Sequence, residues 1–202
     1  MVNKEKFILC YDHGTSGMKT ALVSTKGKVI DFTVDEYKLY HPEPGAAEQS
    51  PDDWWQALVN TTRRLLKKKI VPLENIIACT TSNQMDGTIP IDNNGEVLHN
   101  CITWMDTRGA EETKRVCGGL LEISGYGWTN LLKWIPRTGG APGLSGKDIL
   151  GHILWLKKEK PSLYEKTYKF LDCKDYLNYR LTGKIGTSYD CGILTWVVND
   201  KD

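Results

Sequence analysis

Six residues in one short run, Asp12, Gly14, Thr15, Ser16, Gly17 and Lys19, are of the types that handle phosphate. Glycines let the backbone come close to an anion, and exposed N–H groups with the Thr15 and Ser16 hydroxyls can hold phosphate oxygens. Asp12, at a strand end, can hold a hydrated magnesium ion, and Lys19 adds a compact positive charge. The same residues also read as a plain glycine-rich hairpin turn. The run lacks the Gly-Lys-Ser/Thr ending and the following helix of a nucleotide-binding P-loop, so that alternative is set aside.

A second, polar constellation comes about seventy residues later. Gln84-Met85-Asp86-Gly87 ends a strand, and Trp104-x-Asp106-x-Arg108 follows. Carboxylates and amides at strand ends can hydrogen-bond hydroxyls of a small molecule while an indole covers its apolar face. Taken singly, Asp86 and Asp106 read more often as turn or cap carboxylates, and Trp104 more often as core.

The elements that must position these residues are legible from periodicity. Residues 6–11 form a continuously apolar run too short for a helix, 18–24 a second strand beside it, and 29–37 a third. Ser50-Pro51-Asp52-Asp53 has the cap-then-proline pattern of a helix start. Apolar residues from Trp54 to Leu66 then recur at helical spacing, and the helix is expected to run through Lys69. Residues 76–81 read as a strand, and 88–92 with 96–98 flank the turn Asn93-Asn94-Gly95. Helices are expected over 109–116, 147–158 and 172–181, the last closed by Gly183. Glycine-rich residues 118–146 form the least regular part, and a loop-rich stretch of that length is more often functional than idle. Residues 193–198 read as strand-like. Hairpins followed by one long helix exclude a regular βαβ repeat.

Composition narrows the classes further. The chain has 202 residues, 26 basic and 25 acidic, for a net charge of +1, with 40% hydrophobic and 25% charged residues. That is globular composition, and near-neutral charge argues against nucleic acid as a partner. No apolar run approaches bilayer length, so no membrane partner is expected. The six cysteines show no close metal-binding pair and read as reduced thiols of a cytoplasmic protein.

Five segments in order, namely 12–19, 48–55, 82–87, 102–108 and 175–183, together resemble the FGGY family of carbohydrate kinases. The resemblance implies an α/β, actin-like (ribonuclease-H-like) domain with a mixed five-stranded sheet flanked by helices. It implies that residues 1–202 make up most of the first, sugar-binding domain. The second, nucleotide-binding domain and the catalytic aspartate are expected beyond residue 202, so these residues alone are expected to be inactive. For the intact protein it implies ATP and Mg2+ as cofactors, a small-molecule sugar or polyol as substrate, and a homodimer as a further expectation. By position, Asp12 falls to the metal, and Asp12, Gly14, Thr15, Ser16 and Lys19 to the nucleotide phosphates. Gln84, Met85, Asp86, Trp104 and Asp106 fall to the sugar.

Xylulokinases of this family read Gln-Met-His-Gly where this chain has Gln84-Met85-Asp86-Gly87, and glycerol kinases read Gln-Arg-Glu-Thr. The methionine and glycine point toward D-xylulose or a related ketopentose, with glycerol, gluconate and ribulose as alternatives. A non-catalytic sugar-binding protein is the alternative from outside the enzymes. Asp86, acceptor-only when ionised, changes which hydroxyl pattern is satisfied.

Overall fold

The computed structural model describes residues 5–198, and its first three elements are the strands β1 (Phe7–His13), β2 (Gly17–Ser24) and β3 (Val29–Glu36). They pair antiparallel, with Asp12 opposite Lys19 and Lys19 opposite Val34. After the short β4 (Glu48–Gln49) comes α1 (Pro51–Lys67), and then β5 (Ile76–Asn83), which pairs parallel with β1. The main sheet is therefore mixed, in the order β3-β2-β1-β5. It has four strands rather than the five expected, because no further strand among the described residues pairs with the free edge of β5.

The rest of the chain continues from β5, and its helix Cys173–Thr182 packs back on the sheet. It comprises β6 (Ile89–Ile91), β7 (Cys101–Ile102), α2 (Ala110–Cys117), β8 (Glu122–Ile123), β9 (Tyr126–Gly127), α3 (Trp128–Thr138), α4 (Ile149–Glu159), α5 (Pro161–Lys166), β10 (Lys169–Leu171), α6 (Cys173–Thr182) and α7 (Tyr189–Ile193). Three two-stranded ladders, β4 with β7, β6 with β10 and β8 with β9, stitch it together. Among the described residues no helix is long and apolar enough to cross a membrane.

Most elements read from periodicity are met within a residue or two, but two stretches are not. The glycine-rich stretch contains the β8–β9 hairpin and α3, whose apolar side chains Trp128, Leu132 and Ile135 stay about half exposed. Trp128, Leu131, Leu132 and Ile135 do recur at helical spacing, but the helix is short, carries Pro136 near its end and is set among glycines that read as loop. The strand expected over 193–198 is instead the end of α7 and a turn, with Thr195 N–H donating to Gly192 O (3.1 Å) and Trp196 N–H to Ile193 O (3.2 Å). A strand needs a partner edge, and local hydrogen bonds win where none is offered.

One face of the sheet carries the core. Phe7, Leu9, Tyr11, Met18 and Leu22 pack against Trp54, Leu58 and Leu65 of α1 and against Tyr176 and Leu177 of α6. Ser50 caps α1, Pro51 starts it, and Trp54 is fully buried with its ring 4.3 Å from His13 and 6.3 Å from Tyr176. Burial among these rings pushes the His13 pKa down to about 3, so the imidazole is neutral and acts as core. Trp55, one residue on, is only partly buried and lies under the Arg180 guanidinium at 4.6 Å. Trp54→Ala should cost about 3–5 kcal/mol in urea unfolding. Trp55→Ala should cost less than half as much; equal losses would contradict this division of roles.

Candidate functional site

The turn joining β1 to β2 puts Thr15 at the carboxyl ends of β1 and β5. Gly14 N–H donates to Gly17 O (3.0 Å), and the Tyr37 hydroxyl donates to Gly14 O. Gly17 is required by packing, since a Cβ there would meet Asp35 O at 2.6 Å, whereas a Cβ at Gly14 would make ordinary contact at 3.5 Å. Ser16 is exposed on the same turn.

Thr15 is then tied to two distant segments. Its hydroxyl accepts the Trp104 indole N–H (3.1 Å), and its carbonyl accepts Gln49 Nε2–H (2.6 Å). Gln49, fully buried on β4, in turn accepts Gln84 Nε2–H at 2.7 Å. This chain of amides leaves Gln84 Oε1 buried with no donor among the described residues.

Past β5 the backbone turns sharply. Asp86 takes a left-handed conformation (φ 57°), uncommon for a residue with a Cβ, and Gly87 follows in a space where a Cβ would sit 2.2 Å from Cys173 Sγ. Asp172, nearly fully buried just before α6, fixes this turn by accepting Gly87 N–H (2.9 Å) and Asn83 Nδ2–H (3.4 Å).

Together these segments enclose a cavity of about 530 Å³. It contains five of the expected residues, Thr15, Gln84, Met85, Asp86 and Trp104, and four not assigned from sequence, Asn83, Ser145, Lys147 and Asp148. Trp104 and Met85 are 39% and 56% exposed and form an apolar rim. Asp148 immediately precedes α4, and its Oδ2 accepts Gly143 N–H (2.5 Å) and the Trp196 indole N–H (2.9 Å). Lys147 Nζ lies 5.9 Å from the Trp104 ring centre. The sequence signal for Lys147 and Asp148 was present, a Ser-Gly-Lys-Asp run leading into a helix, but it reads first as a helix start.

Burial pushes the Asp86 pKa up to about 6, and the neighbouring Asp148 and Asp172 carboxylates add to it. Above that pH Asp86 is an acceptor only, and below it can donate.

The structure does not bring Asp106 to this cavity. It is fully buried, with Oδ2 accepting Ala47 N–H (2.9 Å) and Arg108, and Oδ1 accepting Arg108 N–H (2.9 Å). Arg108 also bonds Glu43 and Glu48, both at 2.7 Å, and stacks on Trp155 at 3.8 Å. With both oxygens occupied, Asp106 braces the segment that carries Trp104. Asp12 and Lys19 stand elsewhere too, paired at 3.2 Å in the open on the sheet face away from α1, where they line a separate cavity of about 340 Å³. Among the described residues no three metal-ligating side chains come together.

Comparison with known proteins matches residues 7–192 to the FGGY family of carbohydrate kinases, N-terminal domain. The xylulose kinase of Bacillus subtilis (strain 168) is 35% identical over 184 residues, 91% of this chain and 34% of that protein. Among solved structures, gluconate kinase from Lactobacillus acidophilus superposes with a TM-score of 0.83 at 25% identity, covering 97% of this chain and 37% of that one. Ligand-bound xylulose kinase from the same organism gives 0.82 at 25% identity, covering 96% and 37%. The chain thus spans about a third of the length of the curated relative and little more of the solved structures. These neighbours are sugar kinases of actin-like fold, which is the fold of this mixed sheet with its flanking helices.

Two results should follow. Carboxyl-carbon NMR titration should put Asp86 near 6, and Asp148→Asn should lower it; a value near 4 in both proteins would exclude the acidic neighbourhood. Asp106→Ala should destabilise the chain by about 2–3 kcal/mol in chemical denaturation, since it leaves the buried Ala47 N–H unmet and takes one of the three carboxylates from Arg108, and a loss under about 1 kcal/mol would contradict the bracing role.

Proposed function

This chain belongs to the FGGY family of carbohydrate kinases, and on that premise we propose that the complete protein phosphorylates a small polyhydroxylated substrate, foremost D-xylulose or a related ketopentose. The observation that carries the reading is the cavity shared by Thr15, Gln84, Asp86 and Trp104, with Gln84 Oε1 buried and awaiting a donor. A substrate hydroxyl supplies that donor, and leaving the oxygen unmet costs about 1–3 kcal/mol. Resemblance at Gln84-Met85 and the similarity to a xylulose kinase favour a ketopentose over glycerol or gluconate.

Magnesium-bound ATP supplies the transferable γ-phosphoryl group. A substrate hydroxyl oxygen bonds to that phosphorus as its bond to the β-phosphate oxygen breaks, ADP leaves, and the hydroxyl proton goes to a base. In this reading that base is an aspartate outside these 202 residues. Within the chain, Asp86 and Gln84 accept substrate hydroxyls while Trp104 and Met85 cover the apolar side and exclude water.

On the phosphate side the reading assigns Gly14, Thr15, Ser16 and Lys19, with Asp12 toward the metal. Asp12 and Lys19 fit these roles because their ion pair is exposed, and separating such a pair costs only about 0–1 kcal/mol. A single carboxylate is ordinary for magnesium, which keeps several waters and relies on substrate phosphates. The reading also places the protein in the cytoplasm, in keeping with six free cysteines, and leaves a homodimer to be measured.

The test is sugar-dependent ADP release by the complete protein with ATP and magnesium over D-xylulose, other pentuloses, glycerol and gluconate. The expected result is release with a ketopentose, and none from residues 1–202 alone. Silence of the folded complete protein across the panel would favour a sugar-binding protein without phosphotransfer.

A further inference from the structure

The cavity is lined by unfilled hydrogen-bond acceptors and carries more carboxylates than cations. Gln84 Oε1 is buried without a partner, the Asp86 carboxylate faces the space, and Asp148 is held through Oδ2 while its Oδ1 makes no hydrogen bond among the described residues. Of the donors nearby, the Trp104 indole N–H goes to Thr15 and the Asn83 amide goes to Gln84 O and Asp172, while the Thr15 and Ser145 hydroxyls and the Lys147 ammonium are open to a ligand that both donates and accepts, as a hydroxyl does. Lys147 is the one basic side chain lining the space, and it makes no ion pair within 4.0 Å among the described residues. Two carboxylates therefore line the cavity against one ammonium, and Asp172 stands behind the Asp86 turn as a third.

Such a lining suits a ligand that brings many donors and no negative charge. A neutral polyol or ketose offers a hydroxyl to each open acceptor. A sugar acid offers a carboxylate, which accepts but does not donate at neutral pH, and it must lie beside Asp86 and Asp148 to reach Lys147. Like charges held together in a partly buried site are the strongest means of rejecting a near-isosteric competitor.

We propose that Asp148, acting with Asp86, is a specificity-determining residue that selects neutral polyhydroxyl substrates and rejects sugar acids. The proposal rests on the kinase reading above and assigns a role to a side chain that reaches the cavity from the segment leading into α4. Asp148 is well suited to it. Its position is set by two donors on one oxygen, so its charge stays in place when the cavity is empty or filled. Lys147, one residue earlier, limits the mutual repulsion of the acids without cancelling it.

The experiment compares kcat/KM for D-xylulose and for gluconate in the complete protein, near neutral pH. The wild type should favour the neutral sugar by at least about tenfold. Asp148→Asn keeps an oxygen to accept Gly143 and Trp196, and it should move the ratio toward gluconate by about tenfold while Asp148→Glu leaves it close to wild type. Lys147→Met should move the ratio the other way, which keeps the test open if the asparagine variant fails to fold. Gluconate used as well as or better than D-xylulose would overturn the proposal and make Lys147 a carboxylate anchor. An unchanged ratio in both Asp148→Asn and Lys147→Met would also overturn it. Absence of turnover on every substrate is the separate failure of the kinase reading, and in that case isothermal titration with D-xylulose and with gluconate applies the same selectivity criterion to binding.

Discussion

The arrangement of the site depends on one buried amide. Gln49 has no solvent to turn to, so its side chain must find a donor and an acceptor inside the protein, and it finds Gln84 and the Thr15 carbonyl. That requirement couples three segments that lie far apart in the chain. The β1–β2 turn, the short strand β4 and the turn after β5 cannot shift independently without leaving a buried polar group unmet. Because β4 also pairs with β7, the same residue fixes the strand that leads to Trp104, whose indole returns to Thr15. The loop is closed, and the groups that face the cavity are held in place by the protein itself. Preorganisation of that kind is what phosphoryl transfer asks of a protein, since positioning does most of the work.

Two aspartates of similar appearance in the sequence end in opposite situations. Asp106 is fully buried and fully compensated, with a backbone N–H and an arginine fork filling its oxygens, and Arg108 is in turn shared with two glutamates and stacked on an indole. A charge network so complete has nothing left to offer a ligand. Asp86 is the reverse case. It sits in a left-handed turn, has acidic neighbours that with burial raise its pKa, and is paired with no cation among the described residues. Strained backbone and uncompensated charge are maintained because surrounding packing, notably Gly87 against Cys173 and its tether to Asp172, leaves no other conformation.

Most of the scaffold was legible in the sequence because its signals are local. The apolar run of β1, the Ser50-Pro51 start of α1, the Gly183 stop of α6 and the turn around Asn94-Gly95 each follow from propensities acting over a few residues. Where the signal was not local the reading missed. Helix α3 does repeat at helical spacing through Trp128, Leu131, Leu132 and Ile135, but the glycines around it read as loop, and 193–198 lacks a partner edge to make it a strand. The four-stranded count, against five expected, is likewise a matter of which edges meet.

For the site the same division holds. The sequence by itself determined the family resemblance and the candidates Thr15, Gln84, Met85, Asp86 and Trp104, because these follow strand ends, most of them close to a glycine, where chemistry and turn formation write one pattern. Only the tertiary structure decided that Asp106 is a brace, that Asp12 and Lys19 first pair with each other, and that Lys147 and Asp148 join the cavity from another segment. The reason is physical: whether a carboxylate is free for a ligand depends on which donors fold places around it, and those donors come from positions tens of residues away.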